Sequence, residues 1–130
     1  MVAQVFSHGL QSEQIGNAVV VTFTDHELLD EVRIQKVGEQ LLRLATSLRR
    51  HYLVINLGGV ERLSTMMLGK LIALHKKLLS VGGRLIICRI DPGIYEIFRI
   101  FNLRRLVPIY QEEEDALQNC RPIRWSSKDG

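Results

Sequence analysis

Four apolar residues within five positions, Leu53, Val54, Ile55 and Leu57, followed at once by Gly58 and Gly59, constrain this chain more than any other stretch. A run this short and nearly unbroken suits a strand covered on both faces, and the paired glycines end it. Ser64 and Thr65 then stand directly before a helical pattern. The intervening loop therefore delivers two hydroxyls to a helix N-terminus, where free backbone N–H groups favour negative charge. Placed around a helix from Met66, the residues Met67, Leu68, Leu71, Ile72, Leu74, His75, Leu78 and Leu79 fall on one half of the wheel. Thr65, Met66, Gly69, Lys70, Ala73, Lys76, Lys77 and Ser80 fall on the other. This division predicts a surface helix with its inner face on a sheet and an outer row of Thr65, Met66, Gly69 and Ala73. An outward methionine flanked by small residues and a hydroxyl suits the docking of a partner.

These residues resemble the STAS domain, the fold of bacterial anti-sigma factor antagonists, over about residues 14–118. The family's phosphoacceptor signature runs roughly Asp-Ser-Ser-Gly-Leu-Gly, and the same positions here read Ser64-Thr65-Met66-Met67-Leu68-Gly69. Leu68 and Gly69 match, and Thr65 takes the phosphoacceptor place. Ser64 replaces the aspartate, Met66 the second serine and Met67 the first glycine. The lost aspartate lies next to the reacting hydroxyl in the family pattern, so its absence bears on phosphorylation and leaves the fold untouched. Ser64 remains able to cap the helix.

The rest of the chain alternates strands with helices. Residues 18–24 read as a strand behind a Gly16-Asn17 turn, with the preceding residues forming the other arm of a hairpin and an N-terminal edge strand. Asp30 is positioned to cap a helix whose apolar residues Ile34, Val37, Leu41, Leu44, Ala45 and Leu48 keep helical spacing to Arg49. Gly82-Gly83 end the next helix, and residues 84–90 supply a further buried parallel strand. Asp91-Pro92 signal another helix, with Asp91 as cap and Ile94, Ile97, Phe98 and Phe101 facing inward. Asn102 stops it. Residues 107–110 are short and β-prone, and Glu112 to Asp115 place carboxylates in the first turn of a closing helix. The expected fold is α/β: a mixed sheet with an N-terminal hairpin and mostly parallel later strands, covered by about four helices, as the STAS resemblance also implies. Residues 1–13 read as a leader or edge strand, 14–120 as the STAS domain and 121–130 as a loosely held tail carrying Trp125.

Composition removes several function classes. At 130 residues and 46% apolar content the chain has material for one cored domain. The net charge of +3 sits in the dispersed pairs Arg49-Arg50, Lys76-Lys77 and Arg104-Arg105, and only 6% of residues are aromatic, so no base-stacking platform is expected. Neither a membrane-spanning run nor a signal-like leader is evident, which predicts a cytoplasmic protein with no membrane partner. Cys88 and Cys120 lack metal-ligand or redox spacing and read as buried thiols. Asp25, His26 and Glu27 read as a polar loop, since successive residues in extended chain point to opposite faces. No metal or other cofactor is expected.

Catalysis is not expected either. His75 belongs to the inner half of the wheel while Thr65 points outward, so the one helix does not join them. Gly58-Gly59 lacks the Lys-Ser/Thr continuation of a phosphate loop. The resemblance instead implies a regulatory module: unphosphorylated, it binds an anti-sigma factor that is also a serine/threonine kinase, and phosphorylation breaks the complex. On that reading Thr65 is the phosphorylation site, with Ser64 second, and Ser64, Thr65, Met66, Gly69, Lys70 and Ala73 form the partner-binding face. Other STAS proteins are a further partner class. A phosphorylation-independent scaffold, in which Ser64 caps and Thr65 merely starts the helix, and a nucleotide-binding sensor are the alternatives.

Overall fold

The apolar run around Ile55 forms a central strand hydrogen-bonded on both sides in the computed structural model, which describes residues 3–6, 9–48 and 51–121. The strands are β1 (Ala3–Phe6), β2 (Leu10–Ile15), β3 (Ala18–Phe23), β4 (Glu27–Leu28), β5 (Tyr52–Asn56), β6 (Arg62–Leu63), β7 (Arg84–Cys88) and β8 (Ile109–Tyr110). The helices are α1 (Glu31–Thr46), α2 (Thr65–Ser80), α3 (Pro92–Ile100) and α4 (Glu113–Gln118), with a 3-10 turn at Leu103–Arg105. Six strands make one sheet in the order β1-β2-β3-β5-β7-β8, and β4 and β6 form a separate two-stranded parallel pair. β1, β2 and β3 are antiparallel neighbours; β3, β5, β7 and β8 are parallel.

Parallel neighbours need crossovers, and α1, α2 and α3 supply them on one face of the sheet. All three cover the same face because each step along the parallel strands advances in one direction, and right-handed connections then put every crossover on one side. The alternation of side chains follows. Val19, Val21, Leu53, Ile55, Leu85 and Ile87 pack under Ile34, Val37, Leu41, Leu71, Leu74, Leu78 and Phe98 in the main core. Ala18, Val20, Val54, Ile86 and Cys88 face the other way and meet Ala116 and Cys120 from α4 and its end.

Local signals account for the element ends. Gly16 and Asn17 close the β2–β3 hairpin, with Gly16 at φ 61° and Ile15 opposite Ala18. The Asp30 carboxylate accepts the Arg33 N–H at 2.8 Å and caps α1. That helix stops at Thr46, short of the expected Arg49, because the Thr46 and Ser47 hydroxyls donate to the Arg43 and Leu44 carbonyls and Ser47 forms the cap. Residue 49 itself lies outside the described residues, as do Arg50 and the tail with Trp125. The strand expected over 84–90 ends at Cys88, since Arg89 turns to φ 57°. Only Ile109 and Tyr110 of the expected 107–110 segment are paired.

Three further expectations are corrected. Asp91 does not cap α3 with its side chain; its backbone carbonyl accepts from the Ile94 and Tyr95 N–H groups instead, behind Pro92 in the first turn. Phe101 faces solvent at 54% exposure, because α3 ends at Ile100 and Phe101 belongs to the turn out of it. Leu79 is 46% exposed, and Ile72 and His75 are only half-buried. The buried stripe of α2 is thus narrower than half a wheel and centred on Leu71, Leu74 and Leu78.

Two predictions rest on this packing. A Cβ added at Gly83 would meet the His51 and Leu48 carbonyl oxygens at 2.9 and 3.0 Å, backbone atoms that cannot swing away. Gly83→Ala is therefore expected to cost about 1–3 kcal/mol in denaturant unfolding, the usual penalty of overpacking. Burial pushes the thiols of Cys88 and Cys120 up to about 12 and about 11 from an ordinary 9.0. The unfolded chain then releases these protons first, so their contribution to stability is complete below pH 9 and declines as pH rises toward the folded values. The unfolding free energy should fall between pH 9 and 11 by at most about 1.4 kcal/mol per pH unit for each thiol, and less steeply in a Cys88→Ala, Cys120→Ala variant.

Candidate functional site

The segment from Leu57 to Ser64 is held at both ends before it hands the chain to α2. Asn56, the last residue of β5, is a polar side chain only 8% exposed. Its Oδ1 accepts the Gly58 N–H at 2.8 Å, and its Nδ2 donates to Glu113 Oε1 at 2.7 Å, so the turn is tied to the start of α4. Gly59 adopts φ 91°, a conformation that the lack of a Cβ makes accessible. Beyond it the chain pairs with the 26–28 segment: the His26 carbonyl accepts from Glu61 N–H at 2.7 Å, Leu28 stands opposite Leu63, and the Ser64 N–H donates to the Leu28 carbonyl at 3.0 Å.

The Asp25-His26-Glu27 triplet serves this frame and does not converge on a point. Asp25 accepts two hydrogen bonds from Arg33, from Nε at 2.9 Å and Nη2 at 2.6 Å. His26 Nδ1 donates to the Gly59 carbonyl at 3.2 Å, and Glu27 pairs with Arg62 at 3.1 Å. His26 and Glu27 hold the approach to α2, and Asp25 ties the preceding loop to α1. Among the described residues no group of three or more His, Cys, Asp and Glu side chains could hold a metal ion.

Ser64 is the N-cap of α2. Its backbone is extended, and its Oγ accepts the Met67 N–H at 3.4 Å, a long contact, while its carbonyl also accepts from Met67 N–H at 3.1 Å. Thr65 is the first helical residue and is exposed. No acidic residue occupies the first turn, so the positive end of the helix dipole beside Thr65 is uncompensated there. Gly69 and Ala73 are exposed further along the same side. Met66 is half-buried and packs against the main core. Lys70 is also half-buried, and its stem crosses α1 at Gly38, where an added Cβ would meet Lys70 Cδ at 2.8 Å. Thr65, Gly69 and Ala73 thus share one open surface, with half-buried Ser64 at its start and Met66 and Lys70 forming its border toward α1.

That border was not legible in the sequence. Met66 closes one side of a shallow groove of about 430 Å3 whose other wall is α1, through Glu31, Val32, Gln35, Lys36 and Glu39. Val32 is 65% exposed there. Its apolar side chain on the solvent side of α1 was the available signal, and reading it required knowing that α1 and α2 are neighbours. A second open cavity of about 520 Å3 lies at the other side of the Gly58-Gly59 turn, between Arg89, Asp91 and Glu112. His75 is remote from Thr65, its buried Nδ1 has no hydrogen-bond partner among the described residues, and burial lowers its pKa. Among the described residues no acid–base pair is assembled at the hydroxyls.

Comparison with known proteins fits this geometry. The STAS domain family model matches residues 10–116. An anti-sigma F factor antagonist from Paenibacillus polymyxa is 26% identical over 99 residues, covering 76% of this chain and 80% of that protein. The crystal structure of an anti-sigma factor antagonist from Mycobacterium paratuberculosis superposes with a TM-score of 0.73 at 22% identity, covering 91% of this chain and 99% of the other. The Bacillus cell fate determinant SpoIIAA in its phosphorylated form does so with a TM-score of 0.67 at 18% identity, covering 87% and 100%. Those superpositions speak for the fold alone, and the match over residues 10–116 adds the sequence pattern to it. This chain belongs to the STAS domain family.

Proposed function

We propose that this chain is a non-catalytic regulatory binding protein that acts as an anti-sigma factor antagonist, sequestering an anti-sigma factor with serine/threonine kinase activity and released by phosphorylation of Thr65. The observation that carries this reading is an exposed threonine at the first position of a helix whose first turn holds no acidic residue. A kinase can reach such a hydroxyl, and a phosphate added there meets the positive end of the helix. The relative from Paenibacillus polymyxa bears the name of an anti-sigma F factor antagonist, which supports the partner class.

The switch works through charge at a docking surface. Phosphorylation would bring about −1.5 to −2 charges beside Ser64, Met66, Gly69, Lys70 and Ala73, the face assigned to the partner. The modified face would then lose affinity through desolvation of the dianion and repulsion from acidic partner groups. Little refolding is required, because α2 already begins at the modified residue. Intact-mass analysis with fragment mapping, after incubation with ATP and the host's candidate kinase, tests the modification directly.

The Ser64 cap supports a second reading. A hydroxyl that accepts the Met67 N–H has a structural role of its own, and a phosphorylation-independent binding module needs nothing more from the pair. The two readings part at one substitution. Thr65→Asp should weaken binding to the partner roughly tenfold or more if charge controls the complex, whereas Thr65→Ala should bind normally and take up no phosphate. Unchanged affinity for Thr65→Asp would sink the switch and leave the constitutive module.

Gly69 supplies an independent check on where the partner docks. A Cβ there meets nothing within 4 Å, and the residue lies inside α2. Gly69→Ala should raise stability by about 0.5–1 kcal/mol through helix propensity. If the partner packs closely on this face, the same methyl should weaken the complex; a more stable variant with undiminished affinity removes Gly69 from the interface.

A further inference from the structure

We propose that the corner formed by the end of α3 and the following 3-10 turn is a docking surface for an anionic lipid bilayer. The inserting side chains are Ile100, Phe101 and Leu106, and Arg104 and Arg105 contact the headgroups. The proposal is independent of the Thr65 switch and starts from the residue whose orientation the sequence pattern misjudged.

Three large apolar side chains are exposed within seven positions: Ile100 at 64%, Phe101 at 54% and Leu106 at 49%. None of them is needed to complete the core. Ile94, Phe98, Leu103 and Val107, from the same stretch, are all nearly fully buried and fill the sheet face already. Asn102, at φ 58°, makes a sharp corner between α3 and the turn, and the surplus side chains stand at or beside that corner.

Charge decides what fits there. Arg99, Arg104 and Arg105 are exposed around the apolar trio. Arg99 is held by Glu96, so its charge is locally matched. Arg104 donates to the Tyr95 hydroxyl and also acts on the Glu96 carboxylate, and among the described residues Arg105 has no ion-pair partner, so three guanidinium groups stand beside one carboxylate. Planar guanidinium forks match phosphate oxygens. A stable protein interface takes about 800 Å2 on each partner, some 20–30 residues, whereas this corner offers three apolar side chains and two arginines. A bilayer asks less of a patch, because a few inserted side chains and a few basic residues add their contributions against a continuous surface. No described helix is long and apolar enough to cross a membrane, so the contact is peripheral.

Co-sedimentation of the full chain with lipid vesicles tests this. Vesicles of phosphatidylcholine mixed with phosphatidylglycerol should carry down roughly tenfold more protein than phosphatidylcholine alone, as expected for two arginines at an anionic surface, and added salt should release it. Both Ile100→Ser, Phe101→Ser and Arg104→Gln, Arg105→Gln double variants should lose this binding. All four positions are exposed, so the variants should melt like the parent, and thermal melting confirms that each is folded. Absence of sedimentation, equal sedimentation with neutral vesicles, or full binding by the Ile100→Ser, Phe101→Ser variant overturns the proposal. So does arginine-dependent binding to soluble polyglutamate without binding to vesicles, which would assign the corner to an acidic protein segment.

Discussion

The structure depends on β5 having no free side. Its backbone is hydrogen-bonded to β3 on one edge and β7 on the other, and its side chains are covered above by α1–α3 and below by α4. A strand in that position can be apolar at almost every residue, and this one is. The two crossovers that flank it must then pass over the same face, which sets α1 beside α2 and makes the groove between them unavoidable. The site at the start of α2 is a consequence of where β5 ends.

Position alone would leave that site loose, since it follows an eight-residue connection. Polar contacts supply the precision. Asn56 fixes the beginning of the connection by satisfying Gly58 and reaching Glu113, and a buried amide with both ends paired is stabilising where a half-paired one would be costly. The small β4–β6 ladder fixes its end, so that Ser64 is already extended and hydrogen-bonded to Leu28 when the helix begins. A cap acts on a helix only if its backbone is held outside the helical conformation, and here the ladder does the holding. In the triplet Asp25-His26-Glu27, which resembles a ligand cluster in sequence, His26 and Glu27 are struts of the same frame and Asp25 holds Arg33 of α1.

What was legible in the sequence was whatever depends on local pattern. β5, α2, the Gly16-Asn17 hairpin, the Asp30 cap and the acidic start of α4 all follow from periodicity and turn chemistry within a few residues, and each is present. What was not legible depends on neighbours distant in sequence. Asn56 gave no sign of its partner 57 residues away. The two-residue strands β4 and β6 are too short to show a period. Lys70 belonged to the polar half of its helix, but Gly38 on α1 leaves room for its stem, and a long side chain will cover apolar surface when a neighbour has none to offer. Leu79 sits at the edge of an apolar stripe, where the angle of one helix on the sheet, and not its sequence, decides between core and solvent.

Phe101 also shows why an apolar pattern read as core can be surplus. A crossover helix has one stripe to bury, and Ile94 and Phe98 occupy it in α3. The turn that follows must leave the helix direction to reach β8, and Asn102 achieves this by entering the left-handed region. From there Leu103 and Val107 return to the core while Ile100, Phe101 and Leu106 stay outside. Exposed single apolar residues are ordinary. Three at one bend, with Arg99, Arg104 and Arg105 beside the single carboxylate of Glu96, form a surface that folding does not explain, at an element other than the one that carries Thr65. The fold therefore separates two kinds of surface: a helix start shaped by a polar frame, and a helix end where side chains left over from the core remain available for contact.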